Sequence, residues 1–340
     1  MIRIAGSHDL KRVGSGPLAV ALGVFDGVHR GHRAVLAALR DGAREARAAS
    51  MVVTFDPHPL EVLRPDAAPM LLTTVEERLA LLGECAVDAA FVYPFDPTVA
   101  GLSPGEFLAR LVPPGAELRL LVAGHDFRMG KDRTGGTREL RAEGERRGFR
   151  VVEIPATMEG DRSISSSWVR ALLTKGRVRE ATELLGHRYT LEGTVGRGRG
   201  MGRKLQFPTA NVDTKDRRKL LPLHGVYAAF VSLKGEDPRN AVVNIGTRPT
   251  FGDSPEVVVE AHIPGFSRDL SGAWAGLALV ERIRDERRFA SPEALSAQIS
   301  ADVEVTKKVL EVARKQVFPP CVPGGALLDS RAVVDRKRKR

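Results

Sequence analysis

Gly23-Val24-Phe25-Asp26-Gly27-Val28-His29-Arg30-Gly31-His32 separates a short apolar run, Leu18 to Leu22, from a stretch rich in Ala, Leu and Arg, Ala34 to Ala49. The run has the length of a buried strand, and the stretch has the length and composition of a helix. Strand, glycine-bearing turn and helix in this order make the repeating unit of parallel α/β sheets, which bind ligands beyond the carboxyl ends of their strands. The start of a helix also offers unpaired N–H groups and a positive dipole end to an anion. His29 and His32 can both aim ring nitrogens at a phosphate there, with Gly31 keeping the space between them open. One histidine alone would mean little. Composition alone yields His-x-Gly-His about 0.02 times in such a chain, so the pair at this junction marks a candidate nucleotide site.

Outward from this junction, strand-like and helix-like segments alternate. Met51 to Phe55, Val87 to Tyr93, Glu117 to Ala123 and Arg150 to Ile154 read as strands; Val75 to Leu82, Pro104 to Leu111 and Thr137 to Arg147 read as helices. The alternation predicts an N-terminal doubly wound parallel sheet with helices on both faces. The pattern changes near Gly186. Tyr189 to Val195, Gly225 to Leu233, Ala241 to Ile245, Val257 to Ile263 and Gly276 to Ile283 are strand-like and separated by turn residues, which predicts a small closed β-barrel. A helix over Pro292 to Lys315 follows, ended by the prolines and glycines of Phe318 to Gly325. The expected organisation, α/β followed by β, is residues 1–186, residues 187–318 with the C-terminal helix, and a loose basic tail, 319–340.

The 340 residues suit two domains, and 43% hydrophobic with 28% charged residues suits globular cores. Of the net charge of +10, five units come from Arg336 to Arg340. The remainder fits phosphate ligands without requiring nucleic acid, and aromatics at 5% supply few stacking surfaces for bases. Cys85 and Cys321 lie too far apart for metal-type spacing and form no disulfide framework. Met1 to Leu10 lacks the apolar core of a signal peptide, and no run of about 18 apolar residues occurs. A cytoplasmic protein without a membrane partner is expected.

Further segments carry chemistry. Thr54-Phe55-Asp56-Pro57-His58-Pro59 ends one strand, and Gly124-His125-Asp126-Phe127-Arg128-Met129-Gly130-Lys131 follows another. In Ile164-Ser165-Ser166-Ser167-Trp168-Val169-Arg170 the serines cap a helix, and the same hydroxyls, with Arg170 one turn on, can hold phosphate oxygens. Gly193 to Asn211 is the densest Gly/Arg stretch; its glycines let backbone N–H groups approach phosphates. It lacks the Gly-Lys-Ser/Thr of a Walker loop, and on its own it suits a basic linker or an RNA-contacting loop equally well.

Together these segments resemble the bacterial bifunctional riboflavin kinase/FAD synthetase family. Gly-x-Phe-Asp-Gly-x-His-x-Gly-His at Gly23 to His32 is similar to its adenylylation signature, and Pro208-Thr209-Ala210-Asn211 to its kinase signature. Gly225-Val226-Tyr227, Asn244-Ile245-Gly246-Thr247-Arg248-Pro249-Thr250-Phe251, Glu260-Ala261-His262 and Ile283-Arg284-Asp285-Glu286-Arg287-Arg288-Phe289 follow in the family's order. Ser167 replaces Thr, Met129 replaces Phe, Gln206 replaces Gly and Ser271 replaces Tyr.

The resemblance implies a nucleotidyltransferase domain and a riboflavin kinase domain. Riboflavin is phosphorylated by ATP to FMN, and FMN is adenylylated by ATP to FAD. It places Gly23, Phe25, Asp26, Gly31, Ser166, Ser167 and Arg170 at one ATP, with His29 and His32 stabilising the transfer. It places Phe55, Pro57, His58 and Asp126 at the flavin. In the second domain it places Gly198, Gly202, Arg203, Thr209 and Asn211 at the other ATP, with Thr209 and Asn211 on Mg²⁺ through the oxygen ligands a hard cation prefers. Glu260 becomes the general base, and Arg284 orders a loop around the flavin.

Overall fold

The computed structural model describes residues 1–128, 136–196, 207–214, 216–248, 256–316 and 318. The chain divides between Ser166 and Ser167 into two compact units.

In the first unit, β1 (Ile2–Ile4), β2 (Pro17–Leu22), β3 (Ala49–Asp56), β4 (Ala89–Pro94), β5 (Glu117–Gly124) and β6 (Arg150–Ile154) form one parallel sheet in the order β1-β4-β3-β2-β5-β6. Its central strands are buried almost end to end, as a sheet covered on both faces requires. The crossovers include α1 (Arg30–Glu45), α2 (Pro59–Leu63), α3 (Val75–Glu84), α4 (Pro97–Ala100), α5 (Pro104–Leu111) and α6 (Thr137–Arg147). From β2 the chain winds outward through β3 to β4, then crosses back to β5 on the other side of β2. β2 and β5 end level, Leu22 opposite Ala123, and the segments that follow them diverge. This is the topological switch point, where such sheets carry their ligands.

Helix α1 begins at Arg30, four residues before the expected start at Ala34, because His29 caps a first turn that lacks apolar periodicity. It ends at Glu45 and not at Ala49: Arg47 turns to φ 50°, and Ala49 already belongs to β3. A short hairpin, β7 (Met158–Glu159) with β8 (Arg162–Ser163), precedes α7 (Ser166–Leu173).

In the second unit, α8 (Val178–Leu185) packs its buried face of Val178, Ala181, Leu184 and Leu185 against the barrel strands β9 (Tyr189–Gly196) and β14 (Trp274–Arg284). This packing draws the division to Ser166, ahead of the change in sequence pattern at Gly186. With β10 (Thr209–Asp213), β11 (Gly225–Leu233), β12 (Arg239–Arg248) and β13 (Glu256–His262), these strands close an antiparallel barrel in the order β10-β13-β12-β11-β14-β9. Every residue of β11 is buried. Ala228 and Phe230 pack under Leu310 and Ala313, and Val226 under Val303, all three from α9 (Pro292–Ala313), so the helix covers the barrel's outer face there. Arg188 closes the join, its guanidinium over Phe230 and Phe318 while donating to the Ala313 carbonyl at 2.7 Å.

Candidate active sites

Three of the singled-out segments meet at the carboxyl edge of the parallel sheet, after the adjacent strands β5, β2 and β3. After β2, Gly23 N–H donates to Val53 O, continuing the ladder, and the chain then turns sharply: Phe25, Gly27 and Val28 have φ of 54°, 82° and 39°. Such angles cost a non-glycine residue of order 1–3 kcal/mol each, so the surroundings must hold them. They do. Asp26 is buried, and its carboxylate accepts from Leu72 N (3.0 Å), Thr73 N (2.9 Å) and Thr73 Oγ1 (3.0 Å). The Thr73 hydroxyl in turn accepts from Gly27 N, and the Ser166 hydroxyl donates to Asp26 O. These bonds make Asp26 the tether of the loop, and Ser166 touches that loop directly.

The two imidazoles stack, with centroids 3.7 Å apart and planes 15° apart, and the edge of the buried Phe25 ring meets His32. His29 is the N-cap of α1, its Nδ1 accepting from His32 N at 3.3 Å. That bond leaves the proton of a neutral His29 ring on Nε2. Gly31 leaves room for the stack, since a Cβ there would stand 3.2 Å from the His29 ring and press on it.

After β3 the Asp56–Pro57 peptide is cis, and His58 caps α2, accepting from Leu60 N at 3.1 Å. Phe55 is buried in an aromatic cluster with Tyr93, Phe95 and Phe107. After β5, Asp126 is exposed in the turn closed by Phe127 N to Gly124 O. Ser167 and Arg170 follow on α7.

The second site is set by strand register. Asn211 on β10 lies directly opposite Glu260 on β13, and Glu260 lies directly opposite Asn244 on β12. Directly paired residues point to one face with Cβ atoms roughly 4.5–5.5 Å apart, so an amide, a carboxylate and a second amide form one row. Thr209 shares the Asn211 face two residues earlier, opposite His262. His262 Nδ1 bonds Pro208 O at 3.0 Å, and its ring meets Phe207 edge-on, which fixes the entry to β10. Gly198, Gly202 and Arg203 lie outside the described residues. Arg284 forms a bidentate pair with the buried Asp302 of α9 (3.0 and 2.7 Å), whose Oδ1 also accepts from Gln298.

The sequence reading assigned no role to Arg78, Asn244, Asp302 or His262. Asn244 and His262 sit inside quoted motifs, whereas Arg78 and Asp302 look like ordinary helix charges.

Imidazoles capping a helix at a sheet's switch point, and a carboxylate set among hydroxyl and amide oxygens on a barrel, are the equipment of a nucleotide-using transferase with two sites. The FAD synthetase family model matches residues 14–168, and the riboflavin kinase model matches residues 185–310. The bifunctional riboflavin kinase/FMN adenylyltransferase of Escherichia coli K12 is 39% identical over 299 residues, spanning 88% of this chain and 95% of that protein. The Pseudomonas fluorescens protein of the same name is 37% identical, spanning 89% and 96%. A crystal structure described as a macrolide-efflux protein from Streptococcus pneumoniae superposes with a TM-score of 0.79 at 28% identity, covering 90% of this chain and 99% of that one. Among the described residues of this chain, no helix is long and apolar enough to cross a membrane. The chain belongs to the bifunctional riboflavin kinase/FMN adenylyltransferase family, and it converts riboflavin to FMN and FMN to FAD.

Proposed function

We propose that residues 1–186 carry the adenylyl transfer and residues 187–318 the phosphorylation, each through the residues gathered at its own site. The stacked His29–His32 pair at the capped start of α1, placed at the switch point, is the observation that carries this division.

In the first site a phosphate oxygen of FMN attacks the α-phosphorus of ATP and pyrophosphate leaves. The Nε2–H of His29, His32 and the first N–H groups of α1 stabilise the charge that grows on the α-phosphate oxygens. Gly23, Phe25, Asp26 and Gly31 shape the loop that holds the imidazoles; Ser166, Ser167 and Arg170 serve the phosphates. Phe55, Pro57, His58 and Asp126 form the flavin side.

In the second site Glu260 takes the proton of the riboflavin 5′-hydroxyl, whose oxygen attacks the γ-phosphorus, releasing ADP. Thr209 and Asn211 suit Mg²⁺: both offer oxygen from one strand face beside Glu260. Among the described residues no cluster of three or more His, Cys, Asp or Glu forms a metal cage, which fits an ion that usually takes few protein ligands and shares the nucleotide's phosphates. When bound, Mg²⁺ neutralises phosphate charge. Gly198, Gly202 and Arg203 complete the ATP site, and Arg284 holds the loop beside the flavin. A cytoplasmic location, where ATP is available, suits both reactions.

Chromatography of flavin products tests the division. His29→Ala is expected to lower FAD formation from supplied FMN about 10²- to 10³-fold and to spare FMN formation. Glu260→Gln is expected to lower FMN formation about 10²- to 10⁴-fold and to spare FAD formation from supplied FMN. Equal loss of both activities in either variant refutes the assignment.

A further inference from the structure

The side chain of Arg78, on α3, is 1% exposed. Its Nη1 donates to Val24 O (3.2 Å), Thr54 Oγ1 (2.7 Å) and Phe55 O (3.0 Å). The Thr54 hydroxyl donates to Val24 O as well, at 2.7 Å. These acceptors sit where the chain leaves β2 and β3, the two adjacent strands that carry the His29–His32 loop and the Phe55–His58 segment. Arginine stays charged at this depth, so the burial is costly unless carbonyl and hydroxyl oxygens compensate it.

The residues just before α3 grip the same loop one position further on, at Asp26, through Leu72 and Thr73. Val24 and Asp26 are therefore both pinned to the segment from Leu72 to Arg78. Phe25 lies between them at φ 54°, its ring 5.2 Å from His32, which stacks on His29.

We infer that Arg78 is a positioning residue for adenylyl transfer: it fixes the Val24 carbonyl, thereby the left-handed Phe25, and thereby the orientation of the imidazole pair. It touches no reacting atom. Its action runs through backbone carbonyls at two strand ends, and it serves the first reaction site alone. This rests on the assignment of His29 and His32 to that reaction.

The test uses the full chain with three substitutions, Arg78→Met, Arg78→Lys and Thr54→Val, and His32→Ala in parallel. FAD formation is measured per first-site ATP (the ATP bound per chain less that held by the second site), with KM for ATP and FMN, while riboflavin phosphorylation by the same molecules reports on the second unit. For Arg78→Met the inference expects kcat for adenylylation to fall about 10- to 100-fold with KM changed little, since misplaced catalytic groups cost turnover more than binding. Riboflavin phosphorylation stays at its original rate, and Arg78→Lys recovers part of the loss. Thr54→Val, which removes one hydroxyl and keeps the shape, lowers the same kcat about 3- to 10-fold.

A role confined to holding α3 in place would lower the number of ATP-binding sites and leave kcat per site unchanged; that result overturns the inference. If Arg78→Met does not fold, Thr54→Val and Arg78→Lys decide, and unchanged turnover per site in both overturns it. A fall for His32→Ala without one for the Arg78 and Thr54 variants sinks the positioning role alone. Unchanged adenylylation in His32→Ala sinks the reading on which it rests.

Discussion

Asp302 carries a charge into the junction between α9 and the barrel, where its side chain is only 3% exposed, and Arg284 meets it with two parallel N–H bonds. Burying such a pair gains little over an apolar pair, but removing one partner strands the other charge. Asp302→Ala is accordingly expected to destabilise the second unit by about 3–5 kcal/mol, read as a lower midpoint in denaturant. Gln298, which donates to the same carboxylate at 2.7 Å, is well placed to feel the change. His29 differs in kind. Its ring is both the N-cap of α1 and, on the proposed assignment, a stabiliser of the transition state, so His29→Ala is expected to lower stability by only about 0.5–2 kcal/mol while turnover falls far more.

Strand β9 crosses β10 so closely at Gly193 that a Cβ there would lie 2.1 Å from the Asp213 carbonyl oxygen. Main chain cannot swing aside as a side chain can. Gly193→Ala is expected to cost about 1–3 kcal/mol by overpacking, and also to lower riboflavin phosphorylation, because β10 carries Thr209 and Asn211. Denaturant melts and FMN formation check the two effects.

Elements whose signals are local were legible in the sequence. Helix α5 spans Pro104–Leu111 as expected because Ser103, Pro104 and Glu106 write its capping box and first turn in four residues. The His29–His32 spacing is likewise an N-cap and its third helical residue. Strand β10 escaped because Pro208-Thr209-Ala210-Asn211 carries no apolar run; it is extended because β9 and β13 offer it a ladder on both sides. Arg78 and Asp302 were hidden for the same physical reason. Their partners at Val24, Thr54 and Arg284 are distant in sequence, and nothing in a helical charge pattern announces burial.

At the scale of the whole molecule, the His29–His32 pair lies in the first compact unit and Glu260 in the second, so on the proposed assignment single substitutions at these residues are expected to divide the activities. The units should also differ in how they meet alkali. Tyr227 is fully buried in β11 with its hydroxyl on Leu223 O, and burial raises its phenol above the ordinary tyrosine value, an effect Arg282 partly opposes. A raised value means the folded state keeps a proton that the unfolded chain releases. Stability is therefore unaffected below the ordinary tyrosine value and declines as pH climbs through and beyond it. Tyr227→Phe removes that decline, so alkaline unfolding of the second unit should be less steep with pH in the variant than in the parent.

The facing of Asn211, Glu260 and Asn244 on neighbouring strands has a consequence for how this barrel can change. Side chains alternate from one surface to the other at each step along β13, so deleting or inserting a single residue upstream of Glu260 would turn its carboxylate inward, to where Val259 and Ala261 now pack. Length changes in that strand are tolerable only in pairs, or out in the loops. On the proposed assignment, a lineage that loses one residue there would lose FMN synthesis in a single event and keep FAD formation from supplied FMN.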